Sequence, residues 1–179
     1  MNESNHVTQA AFEGTNVRQF LAHRGSIVIK EIREIGKLKG MYSDSIIVST
    51  LILAIVKGNN RNTSHGVKLE RIGTDSYSNN TSVLIDFDEL HELMEAFDFI
   101  NSLASNLKSQ KCDYTEVIYS TKDEARIGFY QESSQSQQAF VGISPHGETT
   151  FLDLPQFMKL KEILWQAKEY LITRGADNY

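Results

Sequence analysis

Two helix starts of the same design, 67 positions apart, constrain this chain more than any other feature of it. Ile85-Asp86-Phe87-Asp88-Glu89-Leu90 is matched by Leu152-Asp153-Leu154-Pro155-Gln156-Phe157. In each, the first Asp is placed to accept from the free N–H groups of a first helical turn. The Glu or Gln three residues later is placed to reach back, the reciprocal pair of a capping box. Ile85 with Leu90 and Leu152 with Phe157 occupy the staple positions around each box. Asp86, Glu89, Asp153 and Gln156 are therefore expected to cap two helices. Across the same offset Leu93 aligns with Leu160 and Glu95 with Glu162. Independent helix starts converge on such strings. The shared box, staple and apolar face together favour two similar halves, at about 26–108 and 113–174.

Strand-like segments precede both starts. Residues 45–56 are long, β-branched and apolar on both alternating faces, the pattern of a strand covered on two sides. In 26–38, Ile29, Ile32 and Ile35 keep helical spacing, but Ile27-Val28-Ile29 and the interrupting Gly36 favour a strand with a bulge. A half-buried strand is expected at 66–72 after a polar loop at 57–65, and a short one at 82–85 after a second polar loop at 73–81. In the second half, 114–121, 125–131 and the run marked by Ala139, Val141 and Ile143 alternate as strands, with Pro145-His146-Gly147 as the next turn. The first helix carries Leu90, Leu93, Phe97, Ile100, Ala104 and Leu107 on one face. The second carries Phe157, Leu160, Leu164, Ala167 and Leu171, and Arg174-Gly175 ends it. Residues 1–24 are polar and read as a loose arm, within which Val17, Phe20 and Leu21 share the face of a short helix. The expected fold is α+β: one domain over 25–174, with antiparallel strands in one curved sheet or a pair and two helices packed against them.

With 40% apolar and 23% charged residues, a net charge of −5 and two prolines, the chain reads as an ordinary globular protein. That balance argues against a surface that binds nucleic acid or anionic lipid all over. A single cysteine, Cys112, excludes an internal disulfide and a cysteine-built zinc site, and no activating motif surrounds it. The longest apolar run is too short to span a bilayer and the start has no secretory pattern, so a cytoplasmic setting is expected.

Several strings resemble a set of bacterial proteins of uncharacterised function. They are Glu34-Ile35-Gly36 with Gly40-Met41-Tyr42, Gly66-Val67-Lys68-Leu69-Glu70, Asp86-Phe87-Asp88-Glu89-Leu90 and Tyr114-Thr115-Glu116-Val117-Ile118-Tyr119-Ser120-Thr121. The resemblance spans residues 27–172 and implies no activity. The order of strands then helix, twice, is also similar to the Whirly and Pur-repeat folds that bind single-stranded nucleic acid. Whirly proteins carry a Lys-Gly-Lys-Ala-Ala-Leu string that this chain lacks, so no binding residue is carried over.

Between Arg24 and Ile72, nine basic residues face four acidic ones, a local +5 in an acidic protein. Lys30, Arg33, Lys37, Lys39, Lys68 and Arg71 are the candidates for nucleic-acid contact, and Tyr114, Tyr119, Phe129 and Tyr130 for base stacking. The plainer account is that these lysines solubilise strand edges and the aromatics pack under helices, since the two sets are not interleaved. Trp165, Tyr119 and Tyr130 are the candidate anchors for a protein partner. His91 and Glu95 offer two metal ligands at i, i+4, too few for a site. His65 and His146 sit in loops beside glycines. No phosphate-cradling loop or nucleophile elbow is present, so neither catalytic residues, metal nor cofactor are expected. The expected function is a non-enzymatic module acting through a protein partner or itself. Single-stranded nucleic-acid binding is second and a small enzyme third.

Overall fold

The computed structural model describes residues 14–74, 80–143 and 149–177. The first part of the expected arm, most of the loop at 73–81 and the turn at Pro145-His146-Gly147 lie outside the described residues. The described residues form two antiparallel four-stranded sheets, both curved and neither closed, with three helices. The first sheet has strands β1 (Ile27–Lys39), β2 (Ser45–Lys57), β3 (Asn60–Ile72) and β4 (Thr81–Asp86) in chain order. The second has β5 (Tyr114–Ser120), β6 (Arg126–Glu132), β7 (Gln137–Gly142) and β8 (Thr149–Leu152), also in order. A short α1 (Asn16–Leu21) precedes the first sheet, α2 (Glu89–Leu107) follows it, and α3 (Leu154–Thr173) follows the second.

Each long helix packs on the sheet it does not follow. α3 lies against β1, β2 and β3, whereas α2 lies against β5 and β6 and beside β4. Phe97 of α2 and Phe157 of α3 meet with ring centroids 4.5 Å apart at the centre of this arrangement. One core therefore serves both halves, joining Ile46, Val67 and Ile85 of the first sheet to Phe129, Val141 and Leu152 of the second. At Gly36, opposite Ile163 of α3, an added Cβ would stand 2.9 Å from the isoleucine Cγ2, so the close approach of β1 and α3 depends on this glycine.

β2 is covered on both faces, as its composition demands. Ile46, Val48 and Ile52 join the main core, while Leu51 and Leu53 meet Val17 and Phe20 of α1 on the other side. β1 is a strand, with the register shift falling between Glu34 and Gly36. Two findings about the elements themselves depart from expectation. First, β3 begins at Asn60 and not at Gly66, because Asn60 to His65 pair with Lys57 to Ile52 in a long hairpin. Gly58 turns it at φ 61°, a conformation that suits glycine. Alternation fails as a signal there because that end of β3 is exposed and polar on both faces. Second, within the segment expected to be a loose arm, residues 14–24 include the docked α1, whose Val17 and preceding Thr15 are fully buried.

The docking of α1 also reassigns one of the expected caps. Asp153 accepts from Gln156 N at 2.6 Å and Gln156 answers Asp153 N at 2.9 Å, the full capping box of α3. At α2 the position before the helix is Asp88, whose side chain caps nothing. Asp86 instead accepts from Asn16 N at 2.7 Å and Val17 N at 2.9 Å, and so binds the start of α1. Glu89 keeps half of the expected role: it accepts from Asp86 N at 3.1 Å with one oxygen and from Lys122 N at 2.8 Å with the other. A local string cannot show that a segment 70 residues upstream outcompetes the adjacent helix for the same carboxylate.

Candidate functional site

Residues opposite one another on antiparallel strands point to the same side, so the register sorts every candidate by face. In the second sheet, Thr115, Val117, Tyr119, Ile127, Phe129 and Val141 point inward to the helices. Tyr114, Glu116, Ile118, Arg126, Tyr130, Glu132, Phe140 and Phe151 point outward. Phe129 is fully buried and Tyr119 packs against the core. Of the four expected stacking residues, only Tyr114 and Tyr130 face out. Tyr119 is thereby removed from the candidate anchors, by the odd spacing that separates it from Tyr114.

The outward rings form a row that crosses strand boundaries. Tyr114 on β5 stacks on Tyr130 of β6 at 6.0 Å and 23°. Tyr130 meets Phe151 of β8 edge-on at 6.3 Å, and Phe151 meets Tyr42, from the turn between β1 and β2, at 5.8 Å and 84°. These offset and edge-to-face arrangements are the favourable ones for aromatic pairs. The turn is fixed there by backbone: Met41 N donates to Phe151 O at 2.9 Å, and Tyr130 Oη donates to Gln138 Oε1 at 2.8 Å on the same face. Tyr42 is 65% exposed and Tyr114 57%. Beneath the row runs a groove of about 410 Å³, bounded by Glu116, Glu132 and Phe140 along with Arg126 and Thr149 at its far end. The phenols of Tyr114 and Tyr130 are both raised, by desolvation first and then by the nearby carboxylates, Glu132 acting on both. The groove thus presents aromatic faces in a field that two carboxylates and one guanidinium set. Tyr42, Phe151, Glu116, Glu132 and Arg126 were absent from the sequence candidates. Even spacing from Tyr114 and Tyr130 marks Glu116, Glu132 and Arg126, but nothing local marks Tyr42.

The basic candidates of the first sheet divide between its two faces. Lys30, Lys37, Lys39 and Lys68 share the face on which α1 docks, interleaved with Glu34 and Glu70, and Lys68 is paired with Glu70 at 2.6 Å. Arg33 and Arg71 point to the opposite face. Arg33 lies 4.6 Å over the Tyr170 ring of α3. Arg71 is buried, with its Nε 3.2 Å from Asp44 Oδ2, an oxygen that also accepts from Thr150 Oγ1 at 2.5 Å. This buried pair joins β3 to β8 and leaves Arg71 no surface to offer a phosphate. The six candidates therefore do not make one basic face.

Two further places bear on function. Trp165, 52% exposed on α3, borders a shallow depression of about 430 Å³ with Met158, Lys161, Glu162 and Gln166. His65, Asp86, Asp88 and Asp177 line a cleft of about 280 Å³ between β3 and the end of α3. His65 Nε2 is buried without a hydrogen-bond partner, and desolvation pushes the imidazole below its ordinary value. Both oxygens of Asp86 are engaged by α1, so it is a structural acceptor in that cleft. His91 and Glu95 are exposed and lie 3.3 Å apart. Among the described residues no three such groups gather as metal ligands, and no helix is long and apolar enough to cross a membrane.

Comparison of the chain with protein-family models, with curated proteins and with solved structures gives no match.

Proposed function

We propose that the chain is a non-enzymatic protein-interaction module whose docking surface is the outer face of the second sheet. The observation that carries the reading is the outward row Tyr114–Tyr130–Phe151–Tyr42, exposed at Tyr114 and Tyr42 and half-buried between them. Aromatic rings held by a rigid sheet lose little entropy on binding, and such residues dominate the energetic centres of protein interfaces. The same rings would serve single-stranded nucleic acid, the second reading, and charge decides between the two. Phosphates need cations along the groove, and this one holds two carboxylates against a single guanidinium. The interleaved lysines of the first sheet do not make up the difference. A cytoplasmic setting belongs to the same reading, supported by the single cysteine. So does descent of the halves from one strand-and-helix unit, supported by their common order of elements.

A photo-crosslinking amino acid at position 42, with position 95 on the solvent-facing side of α2 as control, tests the reading in native lysate. Adducts with another protein at position 42, reduced by Tyr130→Ala, are expected. Equal capture at both positions, or adducts that nuclease removes, would overturn it.

A further inference from the structure

β5 is an edge strand. It is hydrogen-bonded to β6 on one side, and no described strand pairs with the other. A free edge is a row of unpaired N–H and C=O groups, and proteins that must stay apart guard such rows with charge, proline or bulges. One edge of the first sheet is guarded in that way: β1 carries Lys30, Glu31, Arg33, Glu34, Lys37 and Lys39, and a bulge between Glu34 and Gly36. β5 is guarded far less. Its sequence, Tyr-Thr-Glu-Val-Ile-Tyr-Ser, holds one charge and no proline, and its register with β6 runs unbroken from Tyr114–Glu132 to Ser120–Arg126. Two of its outward residues, Tyr114 and Ile118, are exposed by 57% and 45%.

We infer that β5 pairs antiparallel with β5 of a second copy about a two-fold axis at Val117, so that two second sheets become one sheet of eight strands. The strand is complementary to itself in that register. Tyr114 falls opposite the partner's Ser120, Glu116 opposite the partner's Ile118, and Val117 opposite the partner's Val117 on the inner face. All seven residues of β5 pair, and no charge meets its like. The outer face is also dipolar along the strands: Glu116 and Glu132 lie toward one end and Arg126 at the other. The two-fold turns this dipole around, so each Arg126 faces the acidic end of its partner. Arg126 Nε is buried without an acceptor in the single chain, and its β5 neighbour is the small Ser120. Two strand spacings, about 10 Å, separate Arg126 from the partner's Tyr114. In the single chain the guanidinium lies against Gly142 of β7, where an added Cβ would stand 3.4 Å from Nε and Nη2; turned across Ser120 instead, it comes within reach of that ring, a cation–π contact made twice. This goes beyond docking on the outer face, because it uses the edge of the sheet and identifies the partner as the chain itself.

Sedimentation equilibrium of the full chain tests the inference. A monomer–dimer equilibrium is expected. Ile118→Glu places a carboxylate directly opposite the partner's Glu116 at both symmetric positions, and it should raise the dissociation constant about tenfold or more. Adding Glu116→Lys to the same chain should restore the dimer, because Lys then faces Glu across the axis. Unchanged circular dichroism and thermal midpoint keep the comparison free of misfolding. A chain that stays monomeric at about 100 μM, far above the micromolar range of ordinary interfaces, overturns the inference. So does a dimer indifferent to Ile118→Glu, or one that the double substitution fails to restore. A monomer that still captures another protein through position 42 overturns the dimer alone and leaves the docking reading standing.

Discussion

Replacing Asp86 by Ala separates the structure from its sequence more sharply than any other single change. The sequence places Asp86 at the start of α2, where its loss would cost what an N-cap costs, about 1 kcal/mol. In the structure it holds Asn16 N and Val17 N at 2.7 and 2.9 Å, from a side chain in a residue only 2% exposed. Hydrogen bonds to a charged acceptor contribute about 1.5–3 kcal/mol each, and Val17 N, buried, would be left without a partner. Against this stands the cost of burying the carboxylate, which shows in its pKa: desolvation raises Asp86 above the ordinary range despite the two N–H donors. The balance is a loss of about 2–3 kcal/mol for Asp86→Ala. Asp153→Ala, at an exposed capping box, should lose about 1. Urea denaturation gives the two totals and hydrogen exchange locates them. Amides 16–18 should lose protection in Asp86→Ala while those of the first turn of α2, to which the Asp86 side chain makes no hydrogen bond, keep it. Exposure of α2 amides with α1 unaffected, or a cost no larger than that of Asp153→Ala, would refute the assignment.

Three further outcomes are expected. Glu89 is raised by desolvation, as Asp86 is, so the folded state takes up their protons at higher pH than the unfolded chain. Their contribution to stability therefore grows as pH falls through the native values toward the ordinary carboxylate range, and a Glu89→Gln variant should flatten that limb in chemical denaturation followed against pH. His65 has the opposite sign: its native pKa is depressed by burial, so the unfolded chain binds the proton first and stability is lost as pH falls below about 6.5. An imidazole C2 proton that titrates by NMR at or above the ordinary histidine value would contradict it. Gly36→Val should cost about 1–3 kcal/mol by overpacking against Ile163, 2.9 Å from the new Cβ, and Ile163→Ala in the same chain should recover part of it.

Much of the architecture is legible in the chain because the determining signals are local. The apolar run of β2 states that both its faces are covered, and the structure supplies the main core on one side and α1 on the other. The capping box of α3 forms as read. What was not legible depends on pairing between distant segments. The exposed end of β3 has no hydrophobic alternation to announce it, since its strand character comes from hydrogen bonds to β2. Val17, Phe20 and Leu21 mark a helical face, but that it is docked follows only from the apolar second face of β2, which needs a cover. The two signals lie about 30 residues apart and neither names the other.

The same limit applies more severely to the candidate site, and one case shows where it falls. Parity along β5 was in the sequence: Tyr114, Glu116 and Ile118 take one face and Thr115, Val117 and Tyr119 the other, so Tyr114 and Tyr119 could never have shared a surface. Which of the two faces is exposed depends on where α2 packs, and α2 covers the inward face from the other half of the chain. The aromatic row then needs β6 in register beside β5, β8 two strands beyond β6, and a turn of the first sheet fastened to β8 through Met41 N and Phe151 O. Four segments converge, each with an unremarkable composition. The acidic groups of this surface enter in the same way, Glu116 and Glu132 as alternate residues of strands whose faces only the assembled sheet defines. A whole-chain charge of −5 could not locate them, and the +5 segment pointed to the first sheet, where glutamates interleave the lysines and Asp44 buries an arginine. The composition of this outer face is therefore a property of register, and a one-residue slip of β5 would exchange the whole surface for its opposite.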